Sequence, residues 1–69
     1  MGSLRINGTE KQFPDGIPAT LADLLDILKI NRATVVAQIN EKTIERKEFT
    51  ETKLSCGQAI ELIRFVGGG

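Results

Sequence analysis

The stretch AIELIRFVGGG, residues 59–69, joins an alternating apolar segment to three glycines. Ile60 and Leu62 are two residues apart, so in a β-strand they point to the same face. Ile63 and Phe65 then point to the opposite face. The eight residues before the glycines are therefore predicted to form a strand, with Ile60 and Leu62 packed under a helix.

The glycine run is the second feature of this stretch. Gly67, Gly68 and Gly69 have no side chains to pack, and a glycine run at a terminus is expected to be mobile. We therefore expect a folded domain over residues 1–66 and a flexible tail over residues 67–69. Such a thin thread can carry the carboxylate of Gly69 into a narrow active site of another protein. The alternative is a frayed end or a cloning linker without a function.

The beginning of the chain predicts a β-hairpin. Leu4 and Ile6 alternate with polar residues, which indicates a half-buried strand. Asn7 and Gly8 follow directly, and this dipeptide favours a type I′ turn because both central residues of that turn need a positive φ. The return strand is expected to end at Phe13, which faces the core.

One segment predicts an amphipathic helix. Thr20 is a suitable N-cap, and Asp23 lies three residues later, as in a weak capping box. The helix is expected to end near residues 30–31. Four leucines recur at helical spacing and form one apolar stripe that faces a sheet, namely Leu21, Leu24, Leu25 and Leu28.

Two further strands are predicted after the helix. The segment 35–40 is rich in β-forming residues and alternates, and a shorter strand is expected over residues 43–46. The charged segment 47–53 is expected to lie at the surface, with Phe49 as its apolar anchor.

This order of elements predicts the fold class. Two strands, a helix and three strands form one mixed sheet in which the helix is the crossover connection. The last strand is expected to lie parallel to the first, in the middle of the sheet. We therefore predict an α+β roll, a mixed sheet of about five strands with one main helix packed on one face.

The face of the sheet opposite the helix is expected to be open to solvent. Val36 and Ile63 point to that face, and Phe65 and Val66 lie next to the glycine tail. We interpret these four residues as a partner interface beside the root of the tail. The alternative is that they are β-forming residues scattered singly over the surface, which is common.

Composition excludes several classes of function. The chain has 69 residues, and nine Lys and Arg balance nine Asp and Glu, so a nucleic-acid partner is not expected. Histidine is absent, which removes the usual general base and the commonest metal ligand. No apolar run is long enough for a membrane span. The single cysteine fits a reducing compartment, and we expect a cytoplasmic protein that is not an enzyme and binds no metal or cofactor itself.

Taken together, these motifs resemble the ThiS family, the sulfur carrier proteins of thiamin thiazole synthesis. The resemblance rests on the Asn-Gly hairpin, the leucine helix after Thr20, the Val-x-Ala-x-Ile-Asn strand and, above all, the ending Ile-Arg-Phe-Val-Gly-Gly-Gly. It covers essentially the whole chain. The family has a ubiquitin-like β-grasp fold, and the resemblance implies the same fold here.

The resemblance also implies partners and chemistry. A ThiF-like adenylyltransferase would use ATP and Mg²⁺ to convert the carboxylate of Gly69 into an acyl-adenylate. A sulfur donor, typically the persulfide of a cysteine desulfurase, would displace AMP and leave a thiocarboxylate. The thiazole synthase ThiG would then take this sulfur into the thiazole ring. Gly68 and Gly67 would enter the active sites of these partners, with Gly67 as a spacer beyond the family's usual two glycines.

Three alternatives remain open at the level of sequence. The chain could be a sulfur carrier like the small subunit of molybdopterin synthase, although those chains are usually longer. It could also be a non-covalent β-grasp interaction module, or a modifier that is joined to lysines. Cys56 stands in a turn where the family commonly has an acidic residue, and we interpret it as a neutral substitution rather than a persulfide relay.

Overall fold

The computed structural model describes residues 2–64. Phe65, Val66 and the three glycines lie outside the described residues, so the predictions made for them stay predictions.

The predicted hairpin is present at the start of the chain. Strand β1 (Gly2–Ile6) pairs antiparallel with strand β2 (Thr9–Phe13). The turn between them has φ values of 51° at Asn7 and 81° at Gly8, as a type I′ turn requires. The first strand begins at Gly2, two residues earlier than the alternation of Leu4 and Ile6 indicated.

Helix α1 (Leu21–Leu28) is the main helix. Its N-cap is Thr20, whose hydroxyl oxygen accepts a hydrogen bond from the backbone N–H of Asp23 at 3.2 Å. The predicted end near residues 30–31 was wrong by two residues. Lys29 adopts the left-handed conformation with φ 59°, and a Schellman-type pair of hydrogen bonds closes the helix there.

Three strands follow the helix. Strand β3 (Val35–Ile39) begins after a short 3₁₀ turn and leads to strand β4 (Lys42–Ile44). The short strand predicted over residues 43–46 therefore lies slightly earlier, because a second 3₁₀ turn at Arg46–Glu48 takes up the residues after it. Strand β5 (Ala59–Arg64) is the last described element.

All five strands form one mixed sheet in the order β2-β1-β5-β3-β4. Strand β5 lies in the centre, parallel to β1 and antiparallel to β3. This arrangement confirms the prediction that the last strand lies parallel to the first in the middle of the sheet.

The core lies between α1 and one face of the sheet. Phe49 is only 1% exposed, so it anchors the charged loop as predicted. Ile60 and Leu62 of β5 are also buried, which confirms the face that was assigned to them. The other buried apolar residues come from β1, β2, α1, β3 and the loop before β5, namely Leu4, Phe13, Leu21, Ala22, Leu24, Leu25, Val35, Ala37, Ile39 and Leu54. No helix within residues 2–64 has the length and apolar character needed to cross a membrane.

Candidate functional site

The open face of the sheet brings together the two predicted interface residues that the structure describes. Val36 of β3 and Ile63 of β5 are register partners in the antiparallel pair, so their side chains lie beside each other on this face. Ile63 is 50% exposed, whereas Val36 is half-buried. The predicted patch therefore has an exposed member and a partly covered one, and the other two residues assigned to it lie beyond Arg64.

Polar residues surround this apolar pair. The neighbouring register pair on the same face is Gln38 and Glu61. Further along the sheet, Arg5 of β1 lies opposite Glu10 of β2, which places opposite charges beside each other. The open face is therefore mostly polar, with one apolar spot at the end of β5 where the chain leads into the predicted tail.

Exposure alone does not distinguish Ile63. Ile27 on the outer side of α1 is 55% exposed and is the other large exposed apolar residue among those described. What sets Ile63 apart is its apolar register partner Val36 and its position, since it is the next-to-last residue of β5.

The sheet narrows to two strands at this end. Strand β4 pairs only with residues 37–39 of β3, and β1 pairs only with Ala59 and Ile60 of β5. Within the part of the chain that the structure describes, residues 35–36 and residues 63–64 therefore pair with each other without a third strand on either side. We call these four residues the ribbon, and the predicted tail follows it directly.

A side chain from the first hairpin reaches the base of the ribbon. The amide oxygen of Asn7 accepts a hydrogen bond from the backbone N–H of Leu62 at 2.7 Å. The amide nitrogen of Asn7 donates to the backbone oxygen of Leu62 at 3.1 Å. The sequence pattern indicated only a turn position for Asn7, because nothing in the neighbouring sequence marks a hydrogen-bond partner 55 residues away.

The structure offers no obvious catalytic centre in the part it describes. Cys56 is a free, exposed thiol in the turn that precedes β5. A shallow depression open to solvent is lined by Asn40, Glu41, Ala59 and Glu61, and its wall includes the start of β5 rather than the ribbon. Within residues 2–64 no three or more cysteine or carboxylate side chains gather as a metal site would require.

Comparison with known proteins gives the same family by sequence and by structure. The model of the ThiS family matches residues 3–69. A curated relative, the sulfur carrier protein ThiS of Bacillus subtilis (strain 168), is 29% identical over 66 residues, which cover 96% of this chain and 98% of the relative.

Two solved structures share the fold. The crystal structure of the thiamine biosynthesis protein (ThiS) from Geobacter metallireducens has a TM-score of 0.81 and 31% sequence identity, and the match covers 97% of this chain and 99% of that one. The NMR solution structure of a thiamine biosynthesis protein from the same organism has a TM-score of 0.80 and 31% identity, with coverage of 97% and 87%.

Proposed function

The chain belongs to the ThiS family, with the ubiquitin-like β-grasp fold of that family, and from this membership we propose that it is a sulfur carrier whose reacting group is the carboxylate of Gly69. It acts as a protein co-substrate and not as an enzyme. The observation that carries the proposal is the extent of the family match, which runs over residues 3–69 and so includes all three glycines.

The proposed loading of Gly69 has three steps, and transfer of the sulfur follows. A carboxylate oxygen of Gly69 attacks the α-phosphorus of ATP in a ThiF-like adenylyltransferase, and pyrophosphate leaves. The persulfide of a cysteine desulfurase attacks the resulting acyl-adenylate and displaces AMP, which forms an acyl disulfide. A thiol then cleaves the sulfur–sulfur bond, leaves the thiocarboxylate on Gly69 and is itself oxidised to a disulfide. The thiazole synthase ThiG accepts the sulfur.

Two features of the chain support this division of labour. First, the chain contains no histidine, and the proposed role needs no general base from the carrier, since its partners bind ATP, Mg²⁺ and the sulfur donor. Second, β5 is the central strand and has neighbours on both sides in its first half, so the strand that leads to the glycines is anchored in the sheet at its beginning.

We further propose that the partners bind the open face at the ribbon. Among residues 2–64, Ile63 is the large apolar side chain that is exposed on this face, and Val36 lies beside it. Phe65 and Val66 extend the proposed interface toward the tail. A partner that covers this apolar spot gains hydrophobic contact at the point from which the tail enters its active site.

Intact mass spectrometry tests the proposal. The protein is incubated with the activating enzyme, ATP, Mg²⁺ and a sulfur source, and we expect one oxygen to be replaced by sulfur. A variant without Gly67, Gly68 and Gly69 keeps the whole described domain, so it should fold normally and gain no sulfur. An unchanged mass, with a control carrier converted by the same enzyme, would contradict the proposal. An adduct on a lysine would instead identify a protein modifier.

The acceptor of the sulfur is tested separately. The loaded protein is offered to thiazole synthase and, in parallel, to the large subunit of molybdopterin synthase. We expect the thiocarboxylate to be consumed only by the first. Consumption only by the second would keep the carrier role and overturn the assignment to thiamin.

A further inference from the structure

The two halves of β5 differ in the number of strands that pair with them. In its first half, Ala59 and Ile60 pair with β1 on one side, while β3 lies on the other. Strand β1 ends before the second half of β5, so β5 pairs there with β3 alone and the two strands form the ribbon. An isolated two-stranded ribbon is only marginally stable in water, so this half depends on other contacts.

Hydrogen bonds show which backbone groups of β5 face β1. The backbone N–H of Arg5 donates to the oxygen of Gln58 at 3.0 Å, and that of Asn7 donates to the oxygen of Ile60 at 2.9 Å. Because backbone groups alternate along a strand, the N–H and C=O of Leu62 face the same side. No residue of β1 remains to bind them there, because the chain has turned at Asn7 and Gly8.

The side chain of Asn7 takes the place of that residue. A carboxamide has the same C=O and N–H groups as a peptide bond, and Asn7 uses one of each, at 2.7 Å to the N–H and 3.1 Å to the oxygen of Leu62. Leu62 is only 6% exposed, so its backbone groups would lose hydrogen bonds at a substantial cost if Asn7 were removed. Asn7 therefore extends the β1–β5 pairing by one position.

We propose that Asn7 is a positioning residue for the activation of Gly69. This proposal rests on the proposed sulfur-carrier function. By fixing Leu62 to the sheet, Asn7 holds the base of the ribbon and sets the direction in which the tail leaves it. The seven residues after Leu62 reach at most about 25 Å, so a change of direction at the base displaces the carboxylate at the end. Small misplacements of a reacting group reduce the rate strongly.

The chain contains a matched control for this role. Asn40 lies in the turn between β3 and β4 with the same φ of 51°. Its amide oxygen accepts a hydrogen bond from the backbone N–H of Ala59 at 3.3 Å. Asn40 thus binds β5 through one side-chain hydrogen bond, where Asn7 makes two, and it does so at the first residue of the strand, three residues before Leu62.

The test compares Asn7→Gly with Asn40→Gly. Glycine adopts the positive φ of both turns, so each variant keeps its turn and loses only the side-chain hydrogen bonds. In Asn7→Gly we expect hydrogen exchange of the Leu62 amide to accelerate about tenfold. Adenylation is measured as ATP–pyrophosphate exchange with the activating enzyme. Its kcat should fall about tenfold, whereas its KM should change by less than about twofold because the open face is unchanged.

The control and the conservative variant separate positioning from stability. Asn40→Gly should keep kcat within about twofold of the wild type, even where its melting temperature falls as much as that of Asn7→Gly. Asn7→Asp keeps the acceptor for the N–H of Leu62, so its Leu62 exchange and its kcat should lie between those of the wild type and Asn7→Gly. If Asn7→Gly does not fold, Asn7→Asp is compared with Asn40→Gly in its place.

Two outcomes would overturn the proposal. A wild-type kcat in Asn7→Gly, with the Leu62 amide exposed, would show that holding Leu62 does not matter for activation. An equal loss of kcat in Asn40→Gly would make the effect one of general stability. If the wild-type chain is not adenylated at all, the proposed function fails instead. NMR order parameters of residues 63–66 in the free protein then test whether Asn7 holds the base of the ribbon: a decrease in Asn7→Gly but not in Asn40→Gly supports this part of the proposal, and no decrease refutes it.

Discussion

At the scale of single residues, the two β-hairpins differ in one turn position. The first turn has Gly8 with φ 81°, whereas the second has Glu41 with φ 73°. A residue with a Cβ atom is strained in this left-handed region, and the strain costs about 1–2 kcal/mol. Glycine adopts the same conformation without strain. Glu41 therefore occupies a position where the fold requires a conformation that its residue type disfavours.

Glu41→Gly should accordingly raise the free energy of unfolding by about 1 kcal/mol, measured by urea denaturation. Gly8→Ala is the reciprocal control and should lower it by about the same amount. A Cβ atom at Gly8 would meet nothing within 4 Å, so that loss would come from the backbone conformation alone. A loss of stability in Glu41→Gly would contradict the prediction and show that the side chain of Glu41 contributes more than the strain removes.

At the scale of elements, helix α1 supplies a large part of the buried core. Leu24 is fully buried, whereas Ile27, one turn later, is 55% exposed. Leu24→Ala should lower the free energy of unfolding by about 2–5 kcal/mol, because it leaves a cavity between α1 and the sheet. Ile27→Ala should change it by less than about 1 kcal/mol. Equal losses in both variants, measured by thermal or urea unfolding, would mean that α1 does not pack as the structure shows.

The same elements show what the sequence could and could not predict. Alternation and leucine spacing gave the strands, the helix and their buried faces, because these depend on local patterns. The end of α1 was predicted too late, since nothing in the sequence marks Lys29 for the left-handed conformation that stops the helix. The hydrogen bonds of Asn7 and Asn40 to β5 were also missed. They join residues 55 and 19 positions apart, and only the sheet topology brings these residues together.

At the scale of the whole molecule, the two layers present different surfaces. Helix α1 covers one face of the sheet, so Ile27 on the outer side of α1 and Ile63 on the open face lie on opposite sides of the domain. They are the same residue type, and their exposed fractions are nearly equal, at 55% and 50%. In the proposed function, a partner that takes up the tail binds the open face at the ribbon. The two isoleucines therefore form a matched pair for locating the partner interface.

Ile63→Ser should weaken binding to the activating enzyme about tenfold, because a half-exposed apolar side chain next to Val36 is then lost from the interface. Ile27→Ser should change the Kd by less than about twofold. Isothermal titration calorimetry measures both, and melting temperatures check that each variant folds. Each substitution removes an exposed isoleucine, so losses of stability should be similar, and only binding should separate the variants. Equal weakening by both, or by Ile27→Ser alone, would mean that the partner does not bind the open face. Unchanged binding in Ile63→Ser would limit the interface to the residues beyond Arg64, so that the tail and its root, not the sheet, would make the contact.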